Sequence, residues 1–193
     1  MFAVVGLGNP GVYYARTRHN AGFLLADAAQ ERWQLPAFRR VGRTRVTEGT
    51  VAGHPVVLLK PLTYMNRSGA ILAPLLADPG FEPARQLLVL VDDVALRLGT
   101  FRLRAHGSSG GHNGLKSVEG ALRSNTYGRL RIGIGPAAEG TDDLADFVLE
   151  EFAADELSAL EGLLPVMTDA VDCWLTDGID EAMNRFNRTG KTE

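Results

Sequence analysis

The feature that most constrains this chain is the run Leu87-Leu88-Val89-Leu90-Val91, followed at once by Asp92-Asp93. Five consecutive aliphatic residues leave no side for water, so residues 86–91 read as a strand buried on both faces. Such a strand needs cover above and below it. The remaining pattern supplies that cover. Strand-like runs fall at residues 2–7, 45–51 and 55–60, the last two forming a hairpin with Gly53 in its turn. Residues 100–104 and 129–135 alternate apolar and polar, as half-buried strands do. Helical spacing appears at 21–33, with Asn20 as its cap, and at 68–76, 113–123, 155–175 and 180–186. The expected fold is a single α/β domain over residues 1–188, a twisted mixed β-sheet with helices on its faces, and a flexible tail at 189–193.

The 193 residues suffice for one sizeable core, and 45% of them are hydrophobic. No apolar run approaches the length of a membrane span. The chain enters a strand at Phe2 without a basic leader, and its one cysteine, Cys173, excludes an internal disulfide. The expectation is a cytoplasmic protein. A net charge of −3 argues against a polyanionic partner until its distribution is considered. From Arg97 to Arg131 there are seven Arg or Lys and one acid, Glu119; from Asp142 to Glu181 there are thirteen acids and no Arg or Lys. A polyanion responds to the local field and not to the total.

Two glycine motifs mislead. Gly6-Leu7-Gly8-Asn9-Pro10-Gly11 matches the dinucleotide fingerprint and follows a strand. That fingerprint should open a helix, and the first helical pattern begins about ten residues too late. Gly107-Ser108-Ser109-Gly110-Gly111 matches a nucleophile elbow, but the only later histidine, His112, stands three residues from the serine and cannot swing back as its base. The loop reads as a flexible glycine turn leading into a helix. No zinc or Walker spacing occurs, so neither a metal nor a cofactor is expected.

What remains is a set of polar residues where strands end or helices begin: Asn9, His19-Asn20, Met65-Asn66, Asp92-Asp93 and His112-Asn113. In open α/β sheets the ligand crevice lies beyond the carboxyl ends of the strands, where Asn9 and Asp92 would both face it. One histidine with a carboxylate partner makes a general base, and carboxamides supply neutral donors to a carbonyl gaining charge. The absence of a Ser or Cys nucleophile points to direct attack by water.

The same stretches resemble the bacterial peptidyl-tRNA hydrolases. They are Gly6-Leu7-Gly8-Asn9-Pro10-Gly11, Tyr14 with Thr17-Arg18-His19-Asn20-Ala21-Gly22, Lys60-Pro61-Leu62-Thr63-Tyr64-Met65-Asn66-Arg67-Ser68-Gly69, Asp92-Asp93, Gly110-Gly111-His112-Asn113-Gly114-Leu115-Lys116 and Arg129-Leu130-Arg131-Ile132-Gly133-Ile134-Gly135. All six occur in the family's order and span essentially the whole chain. The resemblance implies hydrolysis of the ester joining a peptide to the terminal adenosine of tRNA. It implies His19 as general base, Asp92 as its partner, and Asn113 as the residue orienting the reacting groups. It places Asn66 on the peptide backbone, Met65 and Tyr64 as walls, Asn9 at the end of the tRNA, and Tyr14 beside the histidine loop. It assigns tRNA contacts to Arg102, Arg104, Lys116 and Arg131, and a lid to residues 135–146. It implies a monomer acting on the acceptor stem and CCA end.

His112 reads as structural or supporting. Ala95 stands where many relatives carry a second acid, which leaves the support of the loop after Asp92 open. Two rivals remain: a non-hydrolytic RNA-binding member of the same fold, such as the plastid splicing factors, and a nucleotide-dependent oxidoreductase built on the first glycine loop.

Overall fold

The apolar run at 87–91 lies near the middle of a seven-stranded sheet, and all five of its side chains are fully buried. In the computed structural model, residues 1–135 and 144–187 are described. The strands are β1 (Phe2–Gly6), β2 (Arg39–Val41), β3 (Thr44–Val51), β4 (His54–Pro61), β5 (Leu87–Arg97), β6 (Phe101–His106) and β7 (Thr126–Gly135). Their order across the sheet is β2-β3-β4-β1-β5-β7-β6. The four inner strands β4, β1, β5 and β7 are parallel, and antiparallel partners close both edges. Parallel strands need cover on both faces. Helices α1 (Ala21–Arg32) and α6 (Ala154–Asp177) cover one face, packing Leu25, Ala29, Leu160 and Met167 against Val4, Leu88, Leu90 and Leu130. The other face is covered by a 3-10 turn, Met65–Leu72, running into α2 (Ala73–Leu76), and by α4 (Asn113–Leu122). Two short helices, α3 (Pro83–Gln86) and α5 (Leu144–Leu149), and a last one, α7 (Ile179–Phe186), complete the described residues.

The α/β sheet with helices on both faces is the expected architecture, and five of its differences in detail have physical causes. The strand at 86–91 continues to Arg97, because β7 pairs with it past Asp93 across a register shift. Strand β7 is not half-buried: Leu130, Ile132 and Ile134 enter the α6 side of the core while Tyr127 and Arg129 are enclosed on the α4 side. The segment expected as a helix over 68–76 is mostly a 3-10 turn, since Ser68 Oγ bonds back to the Met65 carbonyl at 2.8 Å. Asn20 does not cap α1 through its side chain; that carboxamide is bonded to Asn9 instead. Strand β2 and helices α3 and α5 carry too few residues for a period to be visible. The lid expected over 135–146 falls mostly on residues 136–143, and the tail on 189–193; both lie outside the described residues.

Helix α1 starts close against the sheet. A Cβ on Gly22 would stand 2.3 Å from the Leu90 carbonyl oxygen and 2.6 Å from that of Leu7, both backbone atoms that cannot give way. This contact sets how deeply the segment before α1 reaches over the ends of β1 and β5. Gly22→Ala should therefore lift the start of α1, lowering stability by about 1–3 kcal/mol. Urea unfolding would measure that loss.

Candidate active site

Beyond the carboxyl ends of β1, β4 and β5 lies a crevice of about 610 Å³. Asn9, Tyr14, His19, Tyr64, Met65, Asn66, Asp92, Asn113 and Arg131 all line it, together with His112 and Ala95. Strand β1 has β4 on one side and β5 on the other, so the crevice sits where the connections leave in opposite directions.

The centre is the Asp92 carboxylate, 3% exposed. Its Oδ2 lies 2.9 Å from Nδ1 of His19, and its Oδ1 lies 2.9 Å from Nε2 of His112. The two imidazole rings are 4.9 Å apart, centroid to centroid. Burial alone would raise the Asp92 carboxyl, but His112 and His19 together hold it well below the usual carboxylate range. An ionised carboxylate only accepts, so each ring donates an N–H to it.

The two histidines differ in what their second nitrogen does. Nδ1 of His112 accepts from the N–H groups of Gly114 and Leu115 at 3.1 and 3.3 Å, capping α4. That nitrogen must be bare, which places the proton of His112 on Nε2, facing Asp92. His19, with Nδ1–H given to Asp92, has its lone pair on Nε2. That atom has no partner among the described residues and is not enclosed, so it opens into the crevice. His19, Asp92 and His112 have the composition of a metal site. A metal on Nε2 of His112 would force a proton onto Nδ1, against two N–H donors, so the α4 cap does not suit this set to holding an ion.

The surrounding segments are tied together by side-chain to backbone bonds. Asn9 Oδ1 accepts from the Met65 N–H at 2.9 Å. The Asn9 backbone N–H and carbonyl bond to Oδ1 and Nδ2 of Asn20 at 2.8 and 3.0 Å. Asn9 thus joins the end of β1 to the histidine segment and to the turn at Met65. Met65 is buried, and its Sδ lies 2.6 Å from where a Cβ on Gly114 would be, so any larger residue there would have to displace the Met65 side chain. Tyr14 is half-buried at the wall, whereas Tyr64 is 64% exposed at the mouth. Asn66 and Asn113 are exposed, and their carboxamides bond to nothing among the described residues.

Arg18, next to the histidine, is 7% exposed and anchors the segment from below. It pairs with Glu150 at 2.9 Å and Glu156 at 2.8 Å, and its guanidinium lies 4.4 Å from the Phe147 ring centroid. Glu156 also accepts the Ala153 N–H at the start of α6. Arg18 is not among the expected site residues, although a cation beside the histidine with acids in the later helices is a signal for such an anchor. His112, expected as structural or supporting, supplies one of the two ring N–H groups that the Asp92 carboxylate accepts. The loop after Asp92 is supported despite Ala95: the Asp93 carboxylate accepts the Ala95 N–H at 3.0 Å and pairs with Arg131 at 3.4 Å.

Three of the cations expected to meet RNA, Arg102, Arg104 and Arg131, share one sheet face with Arg129. Arg102 pairs in register with Arg131, and Arg104 with Arg129, so all four side chains project on the α4 side. Arg102 and Arg104 are exposed on edge strand β6, and Lys116 is exposed on α4. Neither Arg102, Arg104 nor Lys116 has an acidic partner among the described residues. Arg131 is different, being engaged by Asp93 and by the Ser109 carbonyl at 3.3 Å.

The depressed Asp92 carboxyl fixes a sign for stability against pH. Its contribution is complete above its ordinary value of 3.8 and is lost as pH falls through the lower folded value. Asp92→Asn should cost about 1–3 kcal/mol at pH 7, because a carboxamide cannot accept from both rings. That gap, measured by urea unfolding, should narrow as the pH is taken below 3.8.

The sequence model of the family described as "Peptidyl-tRNA hydrolase" matches residues 3–193. A peptidyl-tRNA hydrolase of Gemmatimonas aurantiaca is 47% identical over 190 residues, covering 97% of this chain and 100% of that protein. One of Chloroflexus aggregans is 44% identical over 187 residues, covering 97% and 99%. The crystal structure of peptidyl-tRNA hydrolase from Acinetobacter baumannii superposes with a TM-score of 0.89 at 32% identity, covering 97% of this chain and 94% of that one. With a family match over nearly its whole length, this chain belongs to the peptidyl-tRNA hydrolase family.

Proposed function

We propose that this protein hydrolyses the ester between a peptide and the terminal adenosine of tRNA, with His19 activating the attacking water. The observation that carries this reading is the His19–Asp92 bond, which leaves Nε2 of His19 as a bare nitrogen open to the crevice. Water gives its proton to that nitrogen as its oxygen bonds to the ester carbonyl carbon. The imidazolium so formed is stabilised by the Asp92 carboxylate 2.9 Å away. Collapse of the tetrahedral adduct breaks the bond to the ribose oxygen, which takes the proton back from His19. The products are a peptide carboxylic acid, which loses its proton to solvent, and a free tRNA hydroxyl.

The carboxamides of Asn113 and Asn66, unengaged among the described residues, serve the carbonyl and the peptide backbone. Asn9 has its Oδ1 committed to Met65, so only its Nδ2 is left for the end of the tRNA. Tyr14, Met65 and Tyr64 shape the walls, and Leu144, Val148 and Leu149 add an apolar side for peptide side chains. A blocked amine presents an amide to these carboxamides, whereas a free amino ester presents a charge whose burial is costly. Arg102, Arg104, Lys116 and Arg131 serve the phosphates of the acceptor stem and CCA end. The protein acts as a monomer in the cytoplasm. No helix among the described residues is long and apolar enough to cross a membrane.

A release assay on N-acetyl-aminoacyl-tRNA tests the chemistry. His19→Ala should lower kcat by roughly 10²–10⁴, and undiminished release would remove the mechanism. Arg104→Gln should weaken tRNA binding and flatten its salt dependence by about one counterion. The same variant should leave cleavage of a minimal N-acetyl-aminoacyl adenosine ester unchanged.

A further inference from the structure

We propose that Arg129, buried beneath the RNA-facing arginines, is a positioning residue that holds the glycine loop at 107–111 so that His112 and Asn113 reach the reaction site. The inference rests on the catalytic reading above and adds a residue that touches neither substrate nor the reacting atoms.

Three glycines of the loop, Gly107, Gly110 and Gly111, adopt positive φ angles of 141°, 60° and 87°. Such a stretch offers almost no side chain to pack, so its position must be set through its backbone. Two guanidiniums do this. Arg129 Nη1 donates to the Gly107 carbonyl at 2.7 Å and lies 3.4 Å from that of Ser108, and Arg131 Nη2 donates to the Ser109 carbonyl at 3.3 Å. Three consecutive carbonyls are thereby held. The next bonds in the chain are functional: the His112 N–H donates to the Ser109 carbonyl at 3.1 Å, and the His112 ring reaches Asp92.

Arg129 itself is 1% exposed, which separates it from Arg102 and Arg104 on the same sheet face. A phosphate cannot reach it. Its Nη2 donates to the Asn125 carbonyl at 2.8 Å, which joins the start of β7 to the loop. Its guanidinium lies 4.1 Å from the Tyr127 ring centroid, and Glu119 stands 3.5 Å from Nη1 as counter-charge. Glu119 is the only acid of the basic stretch from Arg97 to Arg131. Burial pushes the Tyr127 hydroxyl up to about 12, so that ring remains neutral beside the cation. A planar fork reaches several carbonyls at once, which a lysine ammonium on a flexible stem does not.

The test is Arg129→Lys, assayed on N-acetyl-aminoacyl-tRNA and on the minimal adenosine ester, with His19→Ala in parallel. Arg129→Lys should lower kcat about tenfold on both substrates, with KM for the tRNA and the salt slope of kcat/KM unchanged. A loss confined to KM with a flatter salt slope would make Arg129 an RNA contact and overturn the proposal. So would a kcat within about twofold of wild type while His19→Ala is inactive. Activity retained by His19→Ala would instead sink the catalytic reading. Thermal unfolding checks that Arg129→Lys is folded. If it is not, Glu119→Gln takes its place, with kcat expected to fall about threefold at constant KM; an unchanged kcat would overturn the proposal.

Discussion

A buried carboxylate held between two imidazoles organises this protein. Asp92 is enclosed at the carboxyl end of the sheet, where an ionised group survives only if its lone pairs are met. The donors come from opposite layers. His19 arrives on the segment preceding α1, on one face of the sheet, and His112 on the N-terminus of α4, on the other. One side chain therefore registers both helical layers against the strand ends. The close backbone contact at Gly22 brings the histidine segment near enough to the strand ends for its bond to form.

The symmetry of that arrangement is broken by backbone. His112 spends its second nitrogen on two N–H groups of α4, which fixes its tautomer and removes it as a base. His19 has no such obligation among the described residues, so its second nitrogen is open to the crevice. Two residues of the same type, bonded to the same carboxylate, thus have different roles because one of them also caps a helix.

The arginine-bearing sheet face and the crevice meet at neighbouring strands. Asp92 and Asp93 alternate along β5. Asp92 serves the histidines, while Asp93 holds Arg131 and the Ala95 N–H. The arginines of β7 and β6 are graded outward from enclosed to exposed. Arg129 and Arg131 hold the glycine loop, while Arg102 and Arg104 are left without acid partners among the described residues. The net charge of the chain conceals this, because its acids concentrate after Asp142.

The layered α/β architecture was legible in one dimension because it follows from hydrophobic period. The run at 87–91 demanded cover on both faces, and the stripes at 21–33 and 155–175 supplied it. The polar residues at strand ends were legible too, since His19, Asp92 and the asparagines stand where apolar patterns stop. Tertiary structure alone decided how they are used. That Asn9 joins three segments, that His112 caps α4 while sharing Asp92, and that Arg129 is enclosed while its register partner Arg104 is exposed depend on distances between residues far apart in sequence. Periodicity reports which side of an element is apolar. It carries no information on which nitrogen of a ring finds a donor, or how far a guanidinium lies from a loop carbonyl, and those distances are set only when the layers pack.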